Sequence, residues 1–276
     1  MTGAILVTGG AGALGRVLVA RLRGEGRDVV VASRTGDGRS LDVTDADAVD
    51  RLVAELRPAT VIHLASALPG ADADEFERVN VGGTAAVAAA CARYGARLVF
   101  ASSAAVYGVG NTSAAHEDDA VAPANPYGVS KVRAEDALDG FGDELSALSL
   151  RIFNVTGDGF PNALPSRLLR SRPDEPVALR NPDGFVRDYV HVSDVVEACV
   201  AATDAWVGPG HLRVNVGSGQ PTSSRRLVEL VQRIRPVHVR DEPGPDDRVW
   251  ADLTRAREVL GSDPRREVDG SWFSPG

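Results

Sequence analysis

Only one lysine, Lys131, occurs in this chain of 276 residues, beside 29 arginines. Elsewhere guanidinium carries the positive charge, so the exception marks a position that guanidinium does not suit. Arginine is a planar fork, whereas lysine is a compact point charge on a flexible stem. The lysine follows Tyr127 by four residues in Pro126-Tyr127-Gly128-Val129-Ser130-Lys131, a spacing that shares one face of a helix. A cation beside a phenol favours phenolate and lowers its pKa. Bringing a phenol from about 10 to near 7 takes roughly 4 kcal/mol of differential stabilisation. Tyr127 would then be a general acid or base at neutral pH. Taken alone the spacing is weak, and an ordinary solvated lysine is the competing reading.

Cysteine is nearly as scarce. Cys91 and Cys199 both fall in apolar, helix-patterned stretches. They read as small buried hydrophobes in a reducing, cytoplasmic setting, which excludes a disulfide framework. No apolar run reaches the roughly 18 residues that a membrane-spanning helix needs. The first residues lack a basic n-region and read as a strand, not a signal peptide. Basic residues fall short of acidic ones, 30 against 38, for a formal net charge of −8. That argues against nucleic acid as a partner. Arginine is denser near the C-terminus (Arg225, Arg226, Arg233, Arg235, Arg240, Arg248), as a solvated surface or a pocket for a small anion. No metal is assigned.

The length allows one large domain or two closely joined ones. Apolar, β-branched runs at 4–8, 28–32, 60–64, 97–101 and 146–153 alternate with helical patterns at 14–22, 46–56, 81–94 and 127–138. Thr44 is the expected N-cap of the second helix, and Pro58 and Gly95 are expected stops. Continuous apolar strands alternating with helices predict a parallel sheet covered on both faces. After Asn154 the rhythm loosens. Residues 157–165 and 172–184 read as loops around a helix at 166–171. Then come a strand at 185–190, a helix at 195–205, a strand at 212–216, a helix at 223–234 and a strand at 237–240.

The first strand runs into Thr8-Gly9-Gly10-Ala11-Gly12-Ala13-Leu14-Gly15 and then a helix. Glycines at 9, 12 and 15 let the chain turn tightly, approach a phosphate and pack the helix on the sheet. A pyrophosphate would sit on the helix amides around Ala13 and Leu14. At the end of the second strand, an acid would bind the ribose 2′-hydroxyl of NAD, and an arginine the 2′-phosphate of NADP. This chain reads Val31-Ala32-Ser33-Arg34-Thr35. Ser33 can donate to a phosphate and Arg34 can pair with it, so NADP is preferred over NAD. The alternative is a surface arginine indifferent to the cofactor.

Together these segments resemble the extended short-chain dehydrogenase/reductase family, the NAD(P)-dependent sugar-nucleotide epimerases, dehydratases and reductases. The resemblance covers nearly the whole chain, in family order. It implies an α/β, Rossmann-type, doubly wound parallel sheet with a small C-terminal substrate lobe. The nucleotide domain would span 1–156 and 185–218, and the lobe 157–184 and 219–276. Asp42 and Val43 would contact adenine, and Leu64, Ala65 and Ser66 the length of the cofactor. Asn80, in Asn80-Val81-Gly82-Gly83-Thr84, would join them. Ser103, in Ser102-Ser103-Ala104-Ala105-Val106-Tyr107-Gly108, matches the catalytic serine, and Tyr127 and Lys131 the catalytic pair. In Leu150-Arg151-Ile152-Phe153-Asn154-Val155, Phe153 would border the cofactor and Asn154 the substrate. Asn162 and Arg187 would face the substrate nucleotide, Arg187 at its diphosphate. His63, Asp188 and His191 read as structural. The helices at 81–94 and 127–138 would join two copies in a homodimer.

Carbonyl reduction delivers hydride to carbon and a proton to oxygen. Ser103 can hold the oxygen, Tyr127 can transfer the proton, and Lys131 can tune Tyr127 and hold the nicotinamide ribose. For Ser103, a strand-end cap is the bland alternative. Dehydratases of the family carry Asp-Glu where Ala104 and Ala105 stand here, so dehydration is not expected. Glu242-Pro243-Gly244-Pro245-Asp246 places glutamate where relatives often carry a diphosphate-pairing arginine, and Arg240 or Arg248 would have to compensate. The chain is also short for an epimerase, which implies a trimmed lobe. The leading expectation is an NADPH-dependent ketoreductase of a nucleotide-linked keto-sugar, most simply a 4-keto-6-deoxyhexose. The alternatives are an NAD-dependent 4-epimerase, a reductase of a non-sugar carbonyl, and a non-catalytic NAD(P) sensor or scaffold.

Overall fold

A computed structural model describes residues 3–157, 159–205, 208–261 and Trp272. Of the expected lobe, residues 158, 262–271 and 273–276 lie outside the described residues. Strands apolar on both faces must be covered on both faces, and β1 (Ile5–Thr8) is buried at every position. It leads to α1 (Ala13–Gly24), β2 (Val29–Ser33), β3 (Arg39–Ser40), α2 (Ala46–Leu56) and β4 (Thr60–His63), also buried throughout. A short α3 (Ala73–Glu75) runs through a π-helix, Phe76–Gly82, into α4 (Gly83–Tyr94). Then come β5 (Arg97–Ser103), α5 (Pro126–Asp139), β6 (Ser146–Ile152), β7 (Asn154–Thr156), α6 (Leu164–Leu169) and β8 (Val177–Arg180). The chain continues with β9 (Phe185–His191), α7 (Val192–Asp204), β10 (Gly210–Val216), β11 (Pro221–Ser223), α8 (Ser224–Gln232), β12 (Val239–Glu242), β13 (Asp247–Val249) and α9 (Thr254–Leu260).

The large sheet has the order β10-β6-β5-β4-β1-β2-β3, with every pairing parallel. The chain leaves β1 toward β2 and β3, then returns to β4 on its other side. That reversal opens a crevice beyond the carboxyl ends of β1 and β4, where ligands of such sheets bind. The expected strands and helices of the first half are present within a few residues. The cap of α2 is a correction: Asp45 accepts from the Ala48 amide at 2.9 Å, while the Thr44 hydroxyl donates to Asp42. As expected, α4 ends at left-handed Gly95, and α2 ends at left-handed Arg57 just before Pro58.

The second half was harder to read. β8 falls in a stretch that reads as loop, although residues 177–180 alternate buried and exposed. β9 is central in the small sheet, paired with β7, β11 and β13, whereas α7 and β10 return to the large one. A separate core of Leu168, Val177, Leu179, Tyr189, Leu227 and Val231 joins α6, β8, β9 and α8. Cys91 and Cys199 are buried free thiols, pushed up to about 12 by desolvation. Among the described residues no helix is long and apolar enough to cross a membrane, and no cluster of His, Cys, Asp and Glu could hold a metal ion.

Candidate active site

Gly9 lies at φ +71°, and a Cβ there would meet the Ala65 amide nitrogen at 2.6 Å. A Cβ on Gly15 would come equally close to Gly10 and the Gly9 carbonyl. Only glycine lets these segments close up. Helix α1 starts after Gly12 without a side-chain cap, so its first amides are open to an anion. They border a groove of about 390 Å³, lined at one end by Ser33, Arg34, Asp42 and Val43. Along its length come Gly9, Gly12, Ala13, Leu14 and Gly15, with Leu64, Ala65 and Ser66 opposite. Ser103, Tyr127, Lys131 and Phe153 line the other end. The uncapped helix start and the glycine cradle fit a dinucleotide diphosphate.

Two cofactor residues differ from expectation in detail. The Ser33 hydroxyl donates to the Thr35 carbonyl at 2.5 Å, so it shapes its own loop. Asn80 does not line the groove: it is buried behind the wall. Its Oδ1 accepts from the Ala67 amide (2.7 Å) and the Ser66 hydroxyl (3.0 Å), and its Nδ2 donates to the Ser130 hydroxyl (2.9 Å). Asn80 thus fastens the Ser66 segment to α5 from a π-helical turn, a geometry frequent at functional sites. His63 is also buried, bonded to Thr8 and kept neutral by desolvation at about 3.

Strand β5 and helix α5 assemble the reactive end. Asn125 caps α5 by accepting from the Gly128 amide at 2.9 Å. Lys131 is 2% exposed, and its ammonium donates to the Ala101 carbonyl at 2.9 Å. It lies 4.8 Å from the centre of the Phe100 ring and 5.7 Å from that of Tyr127. Desolvation brings its pKa down to about 7, against an opposing pull from Glu135. The Tyr127 phenol is not lowered, contrary to the sequence expectation. Burial raises it, and only a hydrogen bond with the Ser103 hydroxyl draws it down. The same desolvation thus acts on both members of the pair, raising the phenol and lowering the ammonium. Ser103 lines the groove, and its hydroxyl also accepts from the Ala105 amide at 3.2 Å, the strand-end cap of the bland reading.

A second pocket adjoins the first at Val155 and is lined by Asn154, Asn162, Arg167, Arg180 and Tyr189. The two asparagines line this second pocket, whereas Arg187 does not. It pairs with Asp247 at 2.6 Å, donates to the Val186 and Asp247 carbonyls and covers the Phe185 ring. Strand β13 places that acid beside it. Arg240 and Arg248 are likewise held by Glu242 and Asp246. Arg167 and Arg180 were missed. Neither has an acidic partner among the described residues, and the alternation at 177–180 could have found Arg180.

The family model described as "NAD dependent epimerase/dehydratase family" matches residues 5–217, through the glycine loop, Ser103, Tyr127 and Lys131. The chain belongs to this family. A UDP-glucose 4-epimerase of Azospirillum brasilense is 32% identical, across 96% of this chain and 89% of that protein. That alignment runs over 311 positions against the 276 residues of this chain, so the gaps fall on this side, as expected of a chain short for an epimerase. The dTDP-6-deoxy-L-talose 4-dehydrogenase (NAD(P)(+)) of Kitasatospora kifunensis is 30% identical, over 96% and 92% of the two chains. Among solved structures, MoeE5 in complex with UDP-glucose and NAD superposes with a TM-score of 0.83 at 33% identity, covering 98% of this chain and 96% of that one. This family member is therefore an NAD(P)-dependent enzyme type built on a Rossmann-like sheet.

Proposed function

We propose that this family member reduces the keto group of a nucleotide-linked sugar, with NADPH as cofactor. The observation that carries the reading is the Ser103–Tyr127–Lys131 set at one end of a groove whose other end offers Arg34 and no acid from β2. When bound, the cofactor supplies hydride. Ser103 holds the carbonyl oxygen by hydrogen bond. Tyr127, kept protonated by burial, gives that oxygen its proton. Lys131 steadies the phenolate so formed and holds the ribose beside it. Asp42 is the only carboxylate lining either pocket among the described residues, and it belongs to the Arg34 end, which disfavours elimination of water. Arg167 and Arg180, with Asn154 and Asn162, suit a substrate diphosphate.

A second reading is a 4-epimerase that oxidises and re-reduces one carbon on a retained NAD. The names of the relatives and the NAD-bound neighbour favour it. The cofactor left in purified protein, followed by NADPH oxidation over a panel of keto-sugar nucleotides, separates the two. Tightly held NAD without NADPH consumption would retire the reductase. Exchanging Ser33 for aspartate together with Arg34→Ala is expected to lower the NADPH-over-NADH preference by at least about tenfold in kcat/KM. An unchanged ratio would remove Arg34 from cofactor choice.

Arg167→Ala with Arg180→Ala is expected to raise KM for the nucleotide-linked substrate about 10- to 100-fold. A free carbonyl substrate should be nearly unaffected. Equal efficiency on linked and free sugars in the unmodified enzyme would instead favour a non-sugar carbonyl. A cytoplasmic homodimer joined through α4 and α5 belongs to this reading, and sedimentation tests the assembly.

A further inference from the structure

Glu135 follows Lys131 by one turn of α5, and its side chain is 3% exposed. It accepts four hydrogen bonds: Oε1 from the Ser102 hydroxyl (2.6 Å) and Arg151 Nε (3.1 Å), Oε2 from Arg151 Nη2 (2.7 Å) and Arg213 Nε (3.0 Å). Ser102 stands between Ala101, whose carbonyl receives the Lys131 ammonium, and Ser103. A single carboxylate therefore ties the reactive face of α5 to the end of β5 and to β6 and β10. A buried ion pair is weak evidence for stability, since apolar residues of similar volume often replace it at no loss. Its place on the page points to another use.

We propose that Glu135 is a positioning residue, which through Ser102, Arg151 and Arg213 sets the place and the charge of Lys131. The inference rests on the proposed function only in that Lys131 serves the reaction. The groups facing the ammonium are Tyr127 and Glu135 from its own helix and His63 from β4, which desolvation holds neutral. Arg151 from β6 and Arg213 from β10 reach Glu135 rather than Lys131. On the outer side of α5, Arg133 pairs with Glu77 from the π-helix at the surface. Removing the Glu135 charge takes away the acid that favours the ammonium and leaves Arg151 without its carboxylate, while Arg213 keeps Asp139, so the ammonium should lose its proton at lower pH.

The lone lysine makes this directly readable. Protein grown with labelled lysine gives one side-chain NMR signal, expected to titrate near pH 7. In Glu135→Gln the midpoint is expected to fall by at least about half a pH unit. Glu135→Gln with Arg151→Met removes one charge of each sign, and the midpoint should move back toward that of the parent. An amide oxygen accepts from Ser102 less strongly than a carboxylate, so the tie to β5 stays weakened and the NADPH dissociation constant should stay raised by at least about threefold. A midpoint unchanged in folded Glu135→Gln overturns the proposal. Should that variant not fold, parent-like NADPH binding by the folded double variant overturns it. The midpoint needs no substrate: if it shifts while the parent reduces no carbonyl, the proposed function falls and the role of Glu135 stands.

Discussion

Lys131→Arg is expected to lower kcat/KM at least about 100-fold although charge is kept, within the range by which positioned proton-transfer groups accelerate reactions. The ammonium sits in a nearly closed site with one carbonyl acceptor at 2.9 Å and an aromatic ring beside it. A guanidinium is larger, brings five donors in a rigid fork, and does not lose its proton in proteins. It would crowd the Tyr127 side of the groove and leave donors without acceptors. Tyr127→Phe removes the proton donor itself, and a fall of about 10²- to 10⁴-fold is expected. Cofactor binding should survive in the phenylalanine variant, because the glycine loop and α1 are untouched. Turnover unchanged by Tyr127→Phe would leave a non-catalytic NAD(P) sensor as the better reading.

Asp188→Ala is expected to give the largest loss of stability, about 3–5 kcal/mol, by leaving several buried donors unpaired at once. The Asp188 carboxylate is fully buried, has no cation partner among the described residues, and accepts from the Ser218 amide (2.6 Å), the Ser218 hydroxyl (2.7 Å), the Gly219 amide (2.8 Å) and the Ala251 amide (3.1 Å). It binds β9 to the turn after β10 and to the segment after β13. Gly217 has no room for a side chain against it, since a Cβ there would lie 2.5 Å from Asp188 Oδ2. Urea denaturation measures the loss. A change below about 1 kcal/mol would mean that water or a shifted backbone satisfies those donors.

The sheet, the glycine loop and the Tyr127–Lys131 pair were legible because each is written locally. Val29–Ser33 and Thr60–His63 are short apolar runs whose type follows from pattern, and Tyr127 and Lys131 meet because a helix brings every fourth residue to one face. The expected substrate side was only partly legible, for the opposite reason. Arg187 is taken by Asp247, which is 60 residues away in sequence and adjacent only once β13 lies beside β9. Asn80 belongs to the expected segment, but the π-helix turns it toward Ser130 and the Ser66 segment instead of the groove. The raised Tyr127 pKa likewise depends on burial, which spacing along the chain does not encode.

Strand β6 in the large sheet and β7 in the small one are parts of a single extended stretch, interrupted only at Phe153. Phe153 is itself fixed: its amide donates to the Val216 carbonyl at 2.9 Å, and its ring stacks on Tyr107. A rigid-body swing of one sheet against the other would have to bend this rod and break the bonds at Asp188. On the proposed function, substrate entry and product release are therefore expected at the rim of the groove, such as the segment bearing exposed Leu68, among the faster motions of loops.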